Sequence, residues 1–490
     1  MASRDLRSFI ARLQAAGQLV RVRAEVSANL EIAEIASRLA ASGGPAALFE
    51  NVAGHSMPVL VGAFASMERM AWALGAESLQ TVADRVGRLA ATVPLGGKTG
   101  LAAKLKALPK ALELARLRPK TVASGPCQEV VRTGDEADLA RLPVLRSWPG
   151  DAGPFLTLPQ VYTADPDGKH RNVGMYRMQV FGPRRLGVHW HRDHDGARNF
   201  RAWAERGPSG AGRAMPLAVA LGGDPAVTYA ATAPLPYGMD ELVFAGFLRG
   251  EAVPVVRCKT VPLAVPADAE IVIEGTVDPD ERAREGPFGD HTGYYTPADA
   301  YPVLRVSAVT HRADAIYPAT VVGRFPKEDC YLAKATERIF LPILRAAVPE
   351  LVDLNLPLFG VFHNWALVSI RKTRPGQARE VMQALWRMGQ LAYTKFLVVV
   401  DADVNVHDVE EVLWRVGAEA DPRRDTLLQS GPADVLDHAA PEGGEGGKLG
   451  IDATAKLAEE TGGRAWPEPL VSDPATADRV TRRWREYGFE

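Results

Sequence analysis

The chain has 490 residues, which is too long for one hydrophobic core and predicts two or three domains. Hydrophobic residues make up 47% and charged residues 24%, and a net charge of -2 excludes a broad attraction to nucleic acid or anionic lipid. Three widely spaced cysteines (Cys127, Cys258, Cys330) argue against a disulfide framework and favour a reducing compartment, and no apolar run is long enough to span a bilayer.

Residues 1–125 are predicted to form an N-terminal α/β segment with a helical insertion. Helix-like and strand-like patterns alternate over Asp5–Ala16, Leu19–Val26 and Leu30–Ala41. The insertion, 91–125, is rich in Lys, Leu and Ala. Its basic part, Lys98–Lys120, is weakly amphipathic, so it is either a solvated helix face or a contact with a membrane surface.

Short strand patterns dominate residues 126–326. They are bounded by Gly, Pro and Asp, and run over Val173–Gly182, Pro216–Leu221, Ala269–Gly275 and Pro302–His311. Many short strands with this punctuation predict a β-barrel or sandwich domain.

The pattern changes again at Lys327–Ala347, where a long apolar helical pattern predicts a linker helix between domains. Residues 348–472 alternate strand and helix, over Trp365–Ile370, Gln377–Leu391, Phe396–Val400 and Asp408–Gly417. This alternation predicts a small α/β domain. Residues 439–450 are Gly-rich and are expected to form a loop, and residues 473–490 are expected to form a last helix.

Two carboxylates stand at the ends of the segment Glu285-Gly-Pro-Phe-Gly-Asp290, whose Gly and Pro residues forbid a regular helix. A tight turn can hold two acids at a fixed separation, and neighbouring carboxylates can separate their pKa values and take different roles in acid/base chemistry. The alternative for these residues taken alone is a charged surface turn.

Several familiar motifs are absent. Gly96-Gly-Lys-Thr99 and Gly446-Gly-Lys448 lack residues that a phosphate-binding loop requires, and Asp401-Ala-Asp-Val-Asn405 lacks the glycine and terminal glutamate of a calcium loop. Leu221-Gly-Gly-Asp-Pro225 is not a dinucleotide fingerprint, so a nicotinamide enzyme is poorly supported.

A mixed oxygen and nitrogen ligand set can be assembled from three separated segments. Asn172 enters a predicted strand, His189-Trp-His191-Arg-Asp-His194 follows, and Glu241 comes later. An amide oxygen, an imidazole and a carboxylate suit manganese or magnesium better than zinc. The His-x-His pattern alone is equally compatible with a surface or core strand.

Taken in order, three motifs resemble the UbiD family of decarboxylases: Asn172-Val-Gly-Met-Tyr-Arg177, Met239-Asp-Glu-Leu-Val-Phe-Ala-Gly246 and Glu285-Gly-Pro-Phe-Gly-Asp-His-Thr-Gly-Tyr-Tyr295. The resemblance continues through Tyr393-Thr-Lys-Phe396, Asp401-Ala-Asp-Val-Asn405 and Lys448-Leu-Gly-Ile-Asp-Ala-Thr454, so it covers essentially the whole chain. It implies an α+β fold, with a split β-barrel flavin-binding domain, a linker helix and a C-terminal α/β oligomerisation domain.

The resemblance also implies prenylated FMN as cofactor, with Mn²⁺ or Mg²⁺ and sometimes K⁺ at its phosphate. Carried over by motif, the catalytic residues are Arg177, Glu285 and Asp290, with Asp290 as proton donor. The metal ligands are Asn172, Glu241 and a histidine. Many relatives have that histidine where this chain has Asp193, so His191 and His194 both stay open as the third ligand. The implied cofactor-binding residues are Asn172, Met175, Tyr176, Arg177, His189, Trp190, His191, His194, Asp195, Glu241 and Lys448.

Physical chemistry is compatible with these roles. A metal ion and Lys448 would neutralise a buried phosphate, and Arg177 can pair bidentately with a carboxylate. We expect Glu285 to be ionised and Asp290 to carry the exchangeable proton. No side chain can delocalise the carbanion left by loss of CO₂ from an aromatic ring, whereas an electrophilic cofactor can.

The sequence therefore predicts a non-oxidative aromatic acid decarboxylase in the cytoplasm, with possible peripheral contact with the membrane. The expected substrate is a 4-hydroxy-3-polyprenylbenzoate of ubiquinone synthesis. Alternatives are a dihydroxynaphthoate of menaquinone synthesis, another aromatic or heteroaromatic acid, or a non-catalytic flavin-binding protein. A prenyl-FMN synthase would supply the cofactor. Apolar surface on Lys327–Ala347 and around Trp484 predicts a homo-oligomer, a dimer or a hexamer.

Overall fold

The structure is a computed structural model that describes residues 3–92, 115–191, 194–206, 214–441, 444–468 and 470–490. Its N-terminal part contains α1 (Leu6–Ala15), β1 (Leu19–Val22), α2 (Glu31–Ala41), β2 (Ala46–Phe49), β3 (Val59–Val61), α3 (Met67–Ala73) and α4 (Leu79–Thr92). Helix α1 confirms the helical pattern over Asp5–Ala16, and the carboxylate of Asp5 caps it by accepting the Ser8 backbone N–H. Most of the predicted insertion lies outside the described residues.

The middle part is built mainly from strands. They are β4 (Lys120–Thr121), β5 (Val130–Thr133), β6 (Phe155–Leu156), β7 (Gln160–Ala164), β8 (Arg171–Met175), β9 (Met178–Gly182), β10 (Arg185–Gly187), β11 (Met215–Leu221), β12 (Pro254–Arg257), β13 (Ala264–Pro266), β14 (Ile271–Glu285), β15 (Phe288–Gly289), β16 (Tyr295–Thr296), β17 (Asp299–His311) and β18 (Tyr317–Pro318). Three helices lie between them: α5 (Asp195–Glu205), α6 (Pro225–Ala230) and α7 (Glu241–Arg249).

The main sheet has the strand order β6-β9-β10-β17-β14-β11-β7-β8, with β5 also paired to β17, and it curls into a half barrel. Strand β8 is the last in this order and β9 is the second, next to the short terminal strand β6, although only Tyr176 and Arg177 separate β8 from β9 in the chain. These two residues therefore bridge the ends of the sheet. The single strand predicted over Val173–Gly182 is corrected to two strands that meet at this bridge.

Both faces of the half barrel are buried. Along β11, Leu217 and Val219 enter one core cluster while Ala218 and Ala220 enter another, which is the alternation expected of a strand covered on both sides. Strand β18 pairs in parallel with β3, so the middle part also completes the N-terminal sheet.

The predicted linker helix is present as α8 (Glu328–Ala347). Its apolar residues Leu332, Ala335 and Ile339 are buried in the same core cluster as α4 residues such as Val82 and Val86. Because this face is covered within the chain, it does not support the predicted oligomer. That part of the argument is wrong.

The C-terminal α/β domain contains β19 (Leu351–Asn355), β20 (Trp365–Ile370), α9 (Gln377–Leu385), β21 (Phe396–Asp401), α10 (Val409–Glu419), β22 (Thr426–Pro432), β23 (Glu445–Asp452) and α11 (Pro474–Arg482). Its sheet has the order β19-β20-β21-β23-β22. The loop predicted over 439–450 is wrong from Glu445 onward, because the glycines of β23 pair with β22 and Gly450 packs against Met382 and Trp386.

The fold prediction is confirmed as α+β, with a curled half-barrel sheet, a linker helix and a C-terminal α/β domain. All three cysteines are free. Among the described residues, no helix has both the length and the apolar character needed to cross a membrane.

Candidate active site at the seam of the half barrel

The predicted catalytic residues meet at the bridge between β8 and β9. Arg177 Nε lies 3.0 Å from Glu285 Oε1, and its Nη2 lies 3.4 Å from Glu285 Oε2. Its Nη1 donates to Asp290 Oδ2. The guanidinium lies 4.5 Å from the centroid of the Phe288 ring, which covers it from within the same turn. One arginine thus holds both carboxylates.

The turn between the two acids is a packed element rather than a charged surface turn. Glu285 ends β14 and is fully buried, and Asp290 is only 6% exposed. Gly286 adopts a φ of 88°, and a Cβ on Gly289 would lie 2.2 Å from Trp148. Glycine is required at both positions because a side chain would be strained at the first and would clash at the second.

Burial alone would favour the neutral form of both acids, but their partners outweigh it. A hydrogen bond from His189 and the charge of Arg177 lower the pKa of Glu285. The hydrogen bond from His291, together with the charge of Arg177, holds the pKa of Asp290 well below its usual range. Burial lowers the pKa of His291, yet the Asp290 carboxylate more than compensates and raises it. These opposite shifts favour an ionised Asp290 beside a protonated His291. The role of Asp290 as the proton donor stays a prediction.

Three histidines, His189, His191 and His194, extend the hydrogen-bonded contacts from Glu285. His189 Nδ1 donates to Glu285 Oε2 at 2.7 Å, and its Nε2 lies 2.9 Å from His191 Nε2. The His191 backbone N–H donates to His194 Nδ1 at 3.2 Å. Burial, with His194 and His189 beside it, lowers the pKa of His191 to about 3. A neutral imidazole at this position is suited to ligating a cation.

The predicted metal ligands Asn172 and Glu241 are in direct contact. Asn172 Nδ2 donates to Glu241 Oε1 at 3.1 Å, and the Val173 backbone N–H donates to Glu241 Oε2 at 3.0 Å. Tyr176 OH donates to Asn172 Oδ1 at 3.2 Å. The Tyr176 ring in turn lies against the rings of His194 and Trp190, with centroid distances of 5.0 Å and 6.4 Å. The Tyr176 side chain can take this position only because residue 174 is glycine, since a Cβ on Gly174 would lie 2.2 Å from the Tyr176 hydroxyl.

Other predicted residues are placed less directly. Met175 packs with Val173 against a core cluster, Trp190 packs on Phe200, and Asp195 lies 3.5 Å from Arg198 in the first turn of α5. Lys448 is in β23, where its Nζ donates to the backbone oxygens of Ala392, Thr394 and Pro432. Lys448 is expected in a Gly-rich loop, but it is a buried strand residue whose partners here are carbonyls of the C-terminal domain.

Four residues that were not assigned roles surround the acid pair. His291 Nδ1 donates to Asp290 Oδ1 at 3.0 Å, and the Phe362 ring stacks on His291 with centroids 4.4 Å apart. Asp329, at the start of α8, and Asp434, after β22, add negative charge near His291. Burial raises the pKa of Asp329 to about 7. His291 adjoins Asp290 in the motif, but no local signal connects Phe362, Asp329 or Asp434 to it.

Comparison with known proteins decides the family. Three domains of one family match the chain, those of the 3-octaprenyl-4-hydroxybenzoate carboxy-lyase: the N-terminal domain over residues 10–89, the Rift-related domain over 120–325 and the C-terminal domain over 330–453. The chain belongs to the UbiD family. The family prediction and the carboxy-lyase class are thereby confirmed.

Whole-chain relatives agree with this assignment. The chain is 48% identical over 487 residues to an uncharacterised protein of Archaeoglobus fulgidus, with 99% of each chain covered. The UbiD-class enzyme HmfF of Pelotomaculum thermopropionicum, solved with FMN, is 32% identical, with a TM-score of 0.81 over 97% of this chain and 98% of that one. The closed form of vanillic acid decarboxylase of Sedimentibacter hydroxybenzoicus is 28% identical, with a TM-score of 0.83 over 99% of each.

The Asp290–His291 ion pair predicts a stability that depends on pH. Since the pKa of His291 is raised, its contribution is complete below the ordinary histidine pKa and is lost as the pH rises through the raised value. The lowered pKa of Asp290 keeps the pair intact on the acid side until the pH falls through that lowered value. His291→Gln keeps a neutral hydrogen bond but not the charge. We expect it to destabilise the protein by about 1–2 kcal/mol more near pH 5.5 than near pH 9.

Denaturant unfolding at the two pH values measures this difference. His55→Gln is the matched control, because the His55 ring faces the Arg141 backbone carbonyl rather than a carboxylate. An equal cost of His291→Gln at both pH values would contradict the ion pair.

Proposed function

We propose that this UbiD-family chain is a non-oxidative decarboxylase of an aromatic acid that works with prenylated FMN. The observation that carries the proposal is the buried Arg177, which holds Glu285 with two nitrogens and Asp290 with the third. Ionised and protonatable carboxylates held at one buried cation are the arrangement that acid/base chemistry on a carbon centre requires.

The residues around Glu241 support a divalent cation at the phosphate end of the cofactor. Burial raises the pKa of Glu241 to about 7, and the groups that oppose this rise are neutral donors: its own and Val173's backbone N–H and the Asn172 amide. Within the described residues, no three His, Cys, Asp or Glu side chains converge on one point, so the site depends on the Asn172 oxygen as well. Mn²⁺ or Mg²⁺ would supply the missing positive charge, with His191 or His194 as the third ligand. Potassium and the contact of Lys448 with the cofactor stay predictions of the family resemblance.

The chain's own residues define the order of proton movements. Prenylated FMN, when bound, would supply the electrophile that accepts the negative charge left on the substrate ring. The charge of Arg177 favours the ionised form of Glu285, which would act as the carboxylate of the site. Because Arg177 and His291 favour the ionised form of Asp290, Asp290 would take up a proton before it donates one to the ring, and the adjacent His291, with Nδ1 at 3.0 Å, is the proposed source of that proton.

For the substrate we propose a 4-hydroxy-3-polyprenylbenzoate of ubiquinone synthesis, in keeping with the printed name of the matching family. The relatives widen the range of acids to be tested, since one is a vanillic acid decarboxylase and another, from Klebsiella pneumoniae, is a 3,4-dihydroxybenzoic acid decarboxylase. A dihydroxynaphthoate of menaquinone synthesis and heteroaromatic acids are the other candidates. A prenyl-FMN synthase is the proposed partner that supplies the cofactor, and we propose that the enzyme works in the cytoplasm, at the membrane surface when its substrate is polyprenylated.

The test is a screen of these acids for CO₂ release by protein co-expressed with a prenyl-FMN synthase. Loss of CO₂ from at least one aromatic acid, absent from Asp290→Asn protein of equal flavin content, is the expected result. Flavin binding without CO₂ release from any acid of the panel would favour a non-catalytic flavin-binding protein instead.

Glu241→Ala is expected to lose both the bound metal and most of the flavin, because the phosphate charge would be left uncompensated in a buried site. Metal analysis and flavin absorbance of the purified protein measure the two losses. Glu251→Ala is the control, since Glu251 is an exposed carboxylate just beyond the same helix and pairs with Arg249. Wild-type cofactor content in Glu241→Ala would remove Glu241 from the metal site.

The C-terminal segment is the proposed oligomerisation element. Leu470, Val471, Trp484, Tyr487 and Phe489 are all exposed, which leaves more apolar surface than a terminal segment normally shows to water. We expect a homo-oligomer in which this segment covers a neighbouring subunit. Truncation after Asp473 should lower the mass measured by light scattering, whereas a monomeric full-length protein would contradict the assembly.

A further inference from the structure

The loop that follows β19 contains the only two consecutive non-glycine residues with positive φ in the part of the chain that the structure describes. Val361 has φ 49° and ψ 60°, and Phe362 has φ 56°. A β-branched residue and a bulky aromatic residue rarely adopt this conformation, because their side chains are strained there. Such strain persists only where the surrounding structure imposes it, and it concentrates at functional sites.

This turn places the Phe362 ring of the C-terminal domain onto His291 of the middle domain, next to Asp290. The Phe362 and His291 rings are nearly parallel, 12° apart, at a centroid distance of 4.4 Å. Across the His291 ring, Nδ1 donates to Asp290 Oδ1. The imidazole therefore has one face covered by Phe362 and its edge fixed by Asp290, and a rotation of the ring would break both contacts.

The turn is anchored on both sides. The Lys395 backbone N–H donates to the Asn364 carbonyl at 3.0 Å, and His363 Nε2 lies 3.1 Å from Asp434 Oδ2. A Cβ on Gly360 would lie 2.9 Å from Trp365 Cβ, so the chain before the turn packs tightly against the start of β20. These contacts fix the Phe362 ring within the C-terminal domain. Because His291 belongs to the middle domain, the stacking of the two rings depends on contact between the domains.

We propose that Phe362 is a positioning residue that holds the His291 ring in the orientation in which Nδ1 donates to Asp290. His291 would then be held ready to supply a proton to Asp290 only while the C-terminal domain covers the His291 ring. This inference rests on the proposed decarboxylase function. The charged and titratable groups that face His291 are Asp290 from its own turn, Asp329 from the start of α8 and Asp434 from the C-terminal domain, with Arg177 behind Asp290.

A pair of variants separates the effect of the aromatic face of Phe362 from the effect of its apolar volume. Phe362→Tyr keeps the aromatic face, and Phe362→Leu keeps apolar bulk without it. We expect Phe362→Leu to lower kcat about 10-fold to 100-fold with KM little changed, a part of the ~10²–10⁴ that a positioned acid/base contributes, and Phe362→Tyr to restore it. Phe359→Leu is the control, because the Phe359 ring on the same loop lies beside Phe325 instead.

A second measurement needs no cofactor and no turnover, so it separates failure of this inference from failure of the proposed function. Diethyl pyrocarbonate modifies accessible imidazoles, and mass spectrometry follows each histidine separately. In cofactor-free protein, His291 should be modified several-fold faster in Phe362→Leu than in wild type or Phe362→Tyr, while the rate at His55 stays constant. Unchanged His291 modification and unchanged kcat in Phe362→Leu would overturn the proposal.

Discussion

Asp290→Asn is expected to lower kcat by about two to four orders of magnitude, the range for a positioned acid/base, while binding of prenylated FMN is retained. Asparagine keeps the shape of the side chain, and its oxygen can still accept from Arg177, His291 or Thr296, which all donate to Asp290 in the structure. What it cannot do is take up and release a proton. Steady-state kinetics at matched flavin content measures the loss.

Asp299→Asn is the matched control for this variant. Asp299 lies opposite Glu285 in the pairing of β14 with β17, yet it is exposed, so we expect near wild-type turnover. Wild-type decarboxylation by Asp290→Asn would place the proton donor elsewhere, with Glu285 and His291 as the remaining candidates.

Arg177→Ala is expected to be at least as damaging to turnover as Asp290→Asn and also to destabilise the fold. Removing the guanidinium leaves Glu285 and Asp290 buried without their shared cation, and breaking a buried ion pair of this kind costs about 3–5 kcal/mol. Burial would then raise the pKa of both acids, so the network could no longer hold Glu285 ionised. Denaturant unfolding and kinetics on the same preparation separate the two effects.

Two controls define what Arg177 contributes. Arg177→Lys keeps the charge but cannot bind two carboxylates through a planar fork, so an intermediate loss is expected. Arg184→Ala removes an arginine from the turn between β9 and β10, whose partner Asp135 is exposed, and such surface pairs contribute about 0–1 kcal/mol. If Arg177→Ala were no worse than Arg184→Ala in both stability and turnover, the central position of Arg177 would be refuted.

Much of the fold could be predicted because local patterns and burial agree. The helical spacing over Asp5–Ala16 produces α1 as expected, and the strand–helix alternation after Trp365 produces the C-terminal sheet. The prediction failed where pairing partners overrode local composition. Glycines around Lys448 read as a loop, but in a central sheet position glycine lets Met382 and Trp386 approach the backbone of β23.

The site shows the same division. The residues Arg177, Glu285 and Asp290 could be named from the sequence, because the motifs that contain them resemble those of the UbiD family. The protonation states of these residues could not be predicted from the sequence. Burial raises the pKa of Asp290, whereas His291 and Arg177 lower it, and the balance depends on the tertiary structure. The spacing of residues in the sequence does not predict how these charges and burial combine to set the pKa of Asp290.

By itself, the sequence determined the family, the order of the domains and the chemical types of the groups at the site, because these depend on residue identity and on short segments. Only the tertiary structure decided that Tyr176 and Arg177 bridge the two ends of the sheet, and that Phe362, which lies 71 positions after His291, stacks on its ring. Curling of the half barrel and contact between domains create these neighbours. Both are long-range events, and neither leaves a periodic pattern in the chain.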